Sequence, residues 1–268
     1  MKSIFGAVAE GWREEVVPSF KSLELALLLA WNDTQTRYRR SFLGPFWLVL
    51  GTAIGVGGLG YVWTRIFDID PAVFIPSLSI GLVLWYYFTA SIIEGSSHFS
   101  VKRDILLNMK YPTMLLAIQL VMKQIVTFGH NFLFVIVVLI IYQYSFGLNL
   151  LAALVGFVLV SINLLALVQL IGYLGARFRD LEPLVNAIMQ PLFFLTPVIF
   201  RPEQLGVNSA ILLFNPLAHW IAIVRDPIMG EAAPTISWYA SIGTAIFGWL
   251  ACLYITGAKR HRLIFWVN

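Results

Sequence analysis

Long apolar runs, separated by short segments that carry charges or prolines, constrain the fold of this chain more than any other feature. A run of about 20 apolar residues forms a helix that crosses ~30 Å of hydrocarbon, whereas a transmembrane barrel needs shorter strands of alternating polarity. Only 12% of the residues are charged, compared with about a quarter in a soluble domain. We therefore predict an all-α polytopic membrane protein with six transmembrane helices, at residues 46–64, 74–95, 114–142, 150–175, 184–200 and 238–257.

The predicted spans belong to a single transmembrane domain, residues 1–268. Residues 1–45 form its cytoplasmic or interfacial N-terminal segment, residues 46–258 its six-helix membrane domain, and residues 259–268 a cytoplasmic tail. Within the N-terminal segment, the apolar stretch 23–31 is too short to cross the bilayer. It predicts a helix in the cytoplasmic interface, with a role either as an anchor or in gating.

Positive charge is distributed unevenly between the two sides of the predicted spans. Of the 18 Lys and Arg residues, only Arg65, Arg201 and Arg225 fall on one side, Lys123 falls inside a span, and the rest fall on the other side. Lys and Arg are concentrated in the cytoplasmic loops of membrane proteins. The asymmetry predicts a multi-pass protein with both termini cytoplasmic, and it attributes the basic charge to topology and anionic lipid contacts rather than to nucleic acid.

The segment between the last two predicted spans, residues 200–238, is long and interrupted by prolines. It contains two apolar stretches, 211–214 and 220–224, that are each too short to span the membrane. Asn215 and Pro216 separate them. Irregular backbone at membrane depth is tolerated only where protein or a water-filled cavity surrounds it. We predict short re-entrant or gate helices on the outer side of the membrane.

The sequence contains no recognisable catalytic or metal-binding motif. A Walker A loop requires Gly-Lys before Ser or Thr, and no Gly-Lys dipeptide occurs in the chain. The four histidines are too scattered to indicate a metal site, and His130 is the one deep ionisable candidate for a proton relay. We therefore predict a transport protein rather than an enzyme. If transport is driven by ATP, another subunit hydrolyses it.

Aromatic residues gather towards the ends of the predicted spans, as in the interfacial belts of membrane proteins. Four consecutive aromatics, residues 85–88, cover every face of a helix, so that some of them point away from lipid. The alternative to a purely interfacial role is that the rings line a conduit, where aromatic rings stack on the apolar faces of sugars. The candidates for such channel aromatics are Tyr61, Trp85, Tyr86, Tyr87, Phe88, Phe193, Phe194 and Phe200.

The predicted cytoplasmic stretch between spans two and three, residues 96–112, has an amphipathic pattern that ends at a proline. Its apolar members share one side of a short helix if the stretch is helical throughout. The pattern fits a helix that a motor subunit binds, and it fits equally a helix that lies on the lipid surface. The apolar members are Phe99, Val101, Ile105, Leu106 and Met109.

Five short motifs, in order along the chain, resemble those of the membrane subunits of type-2 ABC exporters. Within that class the chain is most similar to the permeases that export O-antigen, capsule or teichoic-acid polysaccharides. The motifs are residues 37–47 before span one, Lys110-Tyr111-Pro112, Phe178-Arg179-Asp180, residues 190–200 with Thr196-Pro197, and Asn215-Pro216. Tyrosine stands at position 111, where relatives often have phenylalanine.

The resemblance implies a homodimer that forms a channel in the bacterial inner membrane, together with two copies of a separate ATP-binding cassette subunit. ATP and magnesium would be bound by that partner, and this chain would hold no cofactor and no metal. The implied substrate is an undecaprenyl-diphosphate-linked polysaccharide, as in lipopolysaccharide biosynthesis.

The resemblance also implies roles for particular residues. The coupling helix to the ATPase would contain His98, Phe99, Val101, Lys102, Arg103, Ile105, Leu106 and Met109. The pyrophosphate would enter near Arg37, Arg39 and Arg40, for which a role as topology determinants is the alternative. The periplasmic gate would contain Pro197, Asn215, Pro216 and Trp220.

Three other functions remain open from the sequence. A passive channel needs no motor subunit, and ATP dependence would exclude it. An ABC exporter of a small lipid or drug is the nearest alternative within the class, although this chain is compact and rich in aromatics. A membrane glycosyltransferase would need an acidic or histidine constellation at the membrane face, and none stands out in the sequence.

Overall fold

A computed structural model describes residues 3–39, 41–42, 44, 46–108, 111–144, 147, 149–201 and 210–267. The described residues form helices and connecting turns. The helices are α1 (Ile4–Gly11), α2 (Val17–Lys21), α3 (Leu23–Tyr38), α4 (Phe46–Phe67), α5 (Pro71–Val101), α6 (Arg103–Asn108), α7 (Thr113–Ile141), α8 (Asn149–Arg177), α9 (Leu181–Leu195), α10 (Ala210–Phe214), α11 (Pro216–Ile228) and α12 (Thr235–Trp266). A π-helical turn, Trp12–Val16, joins α1 to α2.

Helix α5 is the centre of the bundle. It packs on α7 and α8 along most of its length, and 72% of its most apolar 18-residue window is buried. Asp70 caps its N-terminus by accepting a hydrogen bond from the backbone N–H of Ala72 (2.9 Å), and Pro71 occupies the first turn. Because α5 has protein on most sides, cavities inside the subunit are expected to have α5 side chains in their walls.

Close backbone contacts hold α8 in this core. A Cβ added to Gly175 would overlap the carbonyl oxygen of Ser96 in α5, and one added to Gly156 would overlap the carbonyl oxygen of Ile223 in α11. Small residues permit such approaches between membrane helices. The two glycines therefore fix α8 against α5 at one end of the molecule and against α11 at the other.

Within the described residues, five helices are long and apolar enough to cross a membrane, namely α4, α5, α7, α8 and α12. The all-α polytopic architecture is therefore confirmed, whereas the fifth predicted span, residues 184–200, is not one long helix. It consists of α9, which has 15 residues, and a turn at residues 196–200. The helix ends at Thr196, whose backbone is extended, immediately before Pro197, because the residue before a proline avoids helical dihedral angles.

The chain nevertheless passes from one end of the bundle to the other across residues 181–201. Arg179 and Glu182 lie beside Arg103, at the end of the molecule that we call the basic end. Arg201 forms an ion pair with Glu231 at the end that we call the opposite end (2.6 Å). A short helix followed by a turn therefore covers the path that a full-length span would take.

The N-terminal segment packs on the bundle at the basic end. Helix α3 extends from Leu23 to Tyr38 and lies against α7, so it is longer than the predicted stretch 23–31. Helix α1 lies against α12, where Gly257 meets the backbone of Ala7 and Arg260 pairs with Glu14. These contacts bind residues 3–38 to two different membrane helices.

The expectation of one short helix between spans two and three is corrected by the structure. Helix α5 continues through Ser96–Val101, and a separate six-residue helix, α6, follows Lys102. Ile92, Gly95, Ser96 and Phe99 share the buried side of α5, and their packing prolongs the helix beyond the predicted end of the span at residue 95. Only the part after Val101 lies outside α5.

Candidate translocation and coupling sites

A carboxylate at the basic end joins three elements. Glu94 of α5 accepts a hydrogen bond from Nη2 of Arg37 in α3 (2.9 Å) and forms an ion pair with Lys123 of α7. Partial burial lowers the pKa of the Arg37 guanidinium, but the hydrogen bond and negative charge of Glu94 outweigh this effect and the net pKa is raised. Arg37 therefore stays charged and holds the end of α3 on the bundle.

A second polar cluster fastens α3 one turn away. Nζ of Lys102 donates to Oδ2 of Asp33 (2.8 Å), and Nε2 of Gln119 in α7 donates to the same oxygen (2.8 Å). Lys102 is the residue that separates α5 from α6. As a result, α3 contacts the start of α6 as well as the two central helices.

The three arginines predicted to meet a pyrophosphate have different surroundings. Arg37 is paired with Glu94, and Arg39 is exposed beyond the end of α3. Arg40 lies outside the described residues. Their role at an entrance stays a prediction.

The predicted coupling residues divide into a buried group and a surface group. His98 and Phe99 are buried, His98 against the carbonyl oxygen of Leu116 (2.9 Å) and Phe99 edge-to-face on Tyr173. Both side chains pack in the core of the subunit, and their role in coupling stays a prediction. The surface group begins with Val101, which is 73% exposed.

Helix α6 carries the rest of the surface group. Arg103, Asp104, Leu107 and Asn108 are exposed on it, whereas Ile105 and Leu106 are half-buried against the core around Phe99. Lys102 is paired with Asp33, and Met109 lies outside the described residues. The apolar knob of the surface thus consists of Val101 and Leu107, rather than Phe99 and Ile105.

A polar depression of about 300 Å³ adjoins α6 at the basic end. Ser97, Ser100 and Arg103 form one side, and Arg179 and Glu182, at the start of α9, form another. The depression and α6 together make a surface with charges of both signs, which is the character of a protein docking face.

Four of the eight predicted channel aromatics line a common groove. Trp85 and Tyr86 of α5 and Phe193 and Phe194 of α9 surround a space of about 420 Å³ whose other wall includes Leu59 of α4. The rings of Trp85 and Phe193 lie 5.5 Å apart, and those of Phe193 and Phe194 lie 5.3 Å apart. Asn186 and Gln190 add polar groups. We call this space the aromatic groove.

The other four aromatics lie elsewhere. Phe88 is fully buried against Trp220 (5.8 Å, edge-to-face) and lies outside the lining of the groove, and its role in a channel stays a prediction. Tyr87 is also buried, and its hydroxyl donates to Ser161 (3.1 Å) on the side of α5 away from the groove. Tyr61 is exposed and Phe200 is half-buried, and neither belongs to the lining of the groove.

Among the four residues predicted to form a gate, Asn215 joins the start of α11 to the turn after α9 by hydrogen bonds. The side chain of Asn215 accepts from the backbone N–H of Leu217 (3.0 Å), capping the helix that Pro216 begins. Its amide nitrogen donates to Oγ1 of Thr196 (2.9 Å), and so joins α11 to the turn after α9. Trp220, one turn further along α11, is buried against α5.

A buried arginine, which the sequence analysis counted only as a charge on the outer side, completes this cluster. Nη1 of Arg225 donates to the carbonyl oxygen of Pro197 (2.7 Å), and its Nε donates to Asp226 (3.1 Å). The side chain of Arg201 lies 4.0 Å from Asp226 and pairs with Glu231. Four charges and one cap therefore connect α9, α11 and the start of α12 at the opposite end.

Two carboxylates important to the structure were missed from the sequence. Neither Glu94 nor Glu15 has an assignment from the sequence. Glu15 is buried under the start of α7, where its carboxylate accepts from Oγ1 of Thr113 (3.0 Å) and from the backbone N–H of Met114 (3.3 Å). Burial raises the pKa of Glu15, more than these hydrogen bonds lower it. The sequence carries no signal for this contact, because the π-helical turn Trp12–Val16 that places Glu15 interrupts the helical period.

Histidines are used structurally in the described part of the chain. His130, the candidate relay, contacts the carbonyl oxygen of Val126 in its own helix through Nδ1 (2.8 Å). His219 lies between Ser237 and the carbonyl oxygen of Leu213. Among the described residues, no group of three or more His, Cys, Asp or Glu side chains is arranged to hold a metal ion.

Comparison with known proteins agrees with this architecture. Residues 24–229 match the family model described as ABC-2 type transporter. The match covers more than half of the chain, and the chain belongs to this family. It is accordingly a permease subunit of the type-2 ABC exporter class, as the five motifs indicated.

Individual relatives are similar over nearly their whole length. An O-antigen export system permease protein RfbA from Klebsiella pneumoniae is 25% identical over 248 residues, covering 87% of this chain and 86% of the relative. A protein of the same name from Myxococcus xanthus is 28% identical over 228 residues, covering 80% and 85%.

Proposed function

We propose that this chain is the permease half of an ATP-driven exporter that moves a lipid-linked polysaccharide of the O-antigen type across the bacterial inner membrane. Two copies form the channel, and two copies of a separate ATP-binding subunit, which hold ATP and magnesium, dock at the basic end. Both termini are then cytoplasmic. The observation that carries the proposal is the aromatic groove between α4, α5 and α9, in a chain whose relatives are named O-antigen export permeases.

The groove has the chemistry that a sliding glycan requires. Aromatic faces stack on the apolar C–H faces of sugar rings, and neutral amides such as those of Asn186 and Gln190 exchange hydrogen bonds with hydroxyls. No Asp, Glu, Lys or Arg lines it among the described residues. A surface of this kind holds a glycan weakly at many positions, which favours movement along the groove over tight binding at one point.

The groove also lies where a second copy would enclose it. Helix α4 is the least buried of the five long helices, with 17% of its most apolar window covered, and its main contacts are to α5 and α7. Its exposed residues include Trp47, Ile54 and Tyr61. A homodimer contact along α4 and α9 would close the groove into a conduit.

Helix α5 provides a physical link between the motor and the gate. Its basic end continues through Val101 into α6, its middle carries Trp85 and Tyr86 of the groove, and Phe88 packs on Trp220 of α11. A rigid helix transmits a displacement along its axis. We infer that ATP-driven movement at α6 reaches the groove and the gate cluster through α5.

Docking at α6 is tested by substitution of its exposed apolar residues. Val101→Asp with Leu107→Asp should release the ATP-binding subunit while the permease still assembles in the membrane. Phe265→Asp serves as the control, because Phe265 lies on α12 at the same end and is 77% exposed, compared with 73% for Val101. The measurement is co-purification of the ATP-binding subunit, together with surface glycan in cells that depend on this permease.

Unchanged co-purification of the double variant would exclude α6 as the docking element. Phe99→Asp is not a useful substitution for this purpose, because Phe99 is buried against Tyr173 and its loss would disrupt folding.

A further inference from the structure

A second cavity lies on the other side of α5 from most of the aromatic groove. It occupies about 450 Å³ between α4, α5 and α7, towards the basic end, with Arg37 at its edge. We call it the side cavity. Sites for small molecules occupy about 300–1,000 Å³, so the side cavity has room for a compact ligand.

Four aromatic side chains contribute to the walls of the side cavity. Trp47 comes from α4, Tyr86 and Tyr87 from α5, and Phe128 from α7. Tyr87 and Phe128 pack against each other with their ring centroids 5.5 Å apart. Rings from three helices therefore surround one space, which suits a ligand with apolar faces.

The polar part of the lining is neutral. Threonine, glutamine and asparagine side chains supply it, and the guanidinium of Arg37 already has Glu94 as its ion-pair partner. A phosphate would lack a dedicated cation here, since anion sites use uncompensated Arg or Lys or several backbone N–H groups. Aromatic rings combined with neutral hydrogen-bonding groups match an uncharged, hydroxylated ring.

Two polar atoms of the lining residues have no hydrogen-bond partner within the described part of the chain. These are Nε2 of Gln124, a residue that is 1% exposed, and Oγ1 of Thr89. A polar group left unpaired at membrane depth is costly, because no water compensates it. Both atoms belong to residues that line the side cavity, so a ligand with hydroxyl groups would supply the missing partners once the two side chains turn towards it.

The side cavity adjoins the aromatic groove. Tyr86 and Thr89 contribute to both, and the Tyr86 hydroxyl would lie 3.6 Å from a Cβ at Gly55 of α4. Rotation of the Tyr86 side chain is therefore sufficient to change the wall between the two spaces. A ring held in the side cavity stands beside the path of the glycan.

We propose that the side cavity binds a neutral hexopyranose-class sugar residue within each permease subunit, next to the aromatic groove. The proposal rests on the proposed function, and it adds a sugar site that lies between α4, α5 and α7 rather than in the conduit. Its stacking partners are Trp47, Tyr86 and Phe128, and its hydrogen-bonding partners are Thr89 and Gln124.

A pair of glycine substitutions tests the site without removing any of its side chains. A Cβ at Gly51, which lines the side cavity, meets no atom within 4 Å, and the same holds for Gly129 of α7, which does not line it. Gly51→Leu therefore adds a side chain at the wall of the cavity without a backbone clash. Gly129→Leu is the matched control on an exposed helix face.

The assay is saturation-transfer difference NMR on the full-length permease in phosphatidylcholine nanodiscs free of sugar detergents. The probes are methyl hexopyranosides and methyl N-acetylhexosaminides, with glycerol 3-phosphate as a competitor. We expect saturable transfer to the ring protons of at least one sugar. Gly51→Leu should raise its Kd about tenfold or more, whereas Gly129→Leu should leave the Kd within about twofold, which is less than 0.5 kcal/mol.

Three results would overturn the proposal. Sugar binding that survives Gly51→Leu would place the sugar elsewhere, and displacement by glycerol 3-phosphate would identify a phosphate site. No transfer to any sugar of the panel would show that the side cavity does not bind this class. In each case co-purification of the ATP-binding subunit stays intact, so failure of the sugar site is distinguishable from failure of the proposed function.

Discussion

Replacing Glu94 by glutamine tests whether the charge cluster at the basic end holds the bundle together. The change leaves Lys123 without its carboxylate, and the Lys123 side chain is only 12% exposed. Removing one partner of a buried ion pair costs about 3–5 kcal/mol, because the remaining charge stays buried without compensation. Loss of the Arg37 contact adds only about 0–1 kcal/mol, since that side chain is 41% exposed. We expect Glu94→Gln to lower the free energy of unfolding by about 3 kcal/mol.

A second substitution separates the charge effect from packing. Lys123→Met in the Glu94→Gln chain removes the stranded ammonium, so the double variant should return to within about 1 kcal/mol of the wild type. The assay is reversible unfolding in mixed micelles of increasing sodium dodecyl sulfate content, carried out on all four members of the double-mutant cycle. A double variant as unstable as Glu94→Gln alone would refute the reasoning, because the loss would then not come from the unpaired lysine.

Three further outcomes follow from the close contacts, the buried acid and the gate cluster. Gly175→Ala should prevent accumulation of folded protein in membranes, because its Cβ overlaps the Ser96 carbonyl oxygen, whereas Gly129→Ala should accumulate normally. The folded-state pKa of Glu15 is raised above its ordinary 4.5, so the free energy of unfolding of the purified protein should fall as the pH rises above about that value. Glu15→Gln should abolish this pH dependence in unfolding titrations. Asn215→Ala should lower the free energy of unfolding by about 1–3 kcal/mol, because it removes the α11 cap and the hydrogen bond to Thr196. The matched Asn215→Asp chain should recover the cap.

The membrane class and most helices were predictable, because long apolar runs leave few alternatives for the backbone in lipid. The boundaries that failed are those where tertiary contacts extend or interrupt a helix. Helix α5 continues to Val101 because Ser96 and Phe99 pack into α8, and this contact is not visible in the local pattern of the sequence. Conversely, the predicted span 184–200 stops being helical before Pro197.

The residue types of the candidate sites were predictable from the sequence, but the spatial arrangement of their side chains was not. Four aromatics in a row guarantee that some face inward, yet only packing decides that Trp85 and Tyr86 face the groove while Phe88 supports α11. The partners of Glu94 come from residues 37 and 123, which are far apart in the chain. Pairings of this kind depend on the tertiary arrangement of α3, α5 and α7, so the sequence alone does not reveal the partners of Glu94.

The most direct test of the proposed exporter is to capture the complex from native membranes by a tag on this chain and to measure its ATP hydrolysis and subunit composition together. The account predicts an ATP-binding subunit in equal amount with this chain and hydrolysis that vanadate inhibits. It also predicts that the Val101→Asp, Leu107→Asp chain loses both, while the Phe265→Asp chain keeps them. A complex that contains only copies of this chain after gentle extraction, with no ATP hydrolysis, would contradict the account and favour a passive channel.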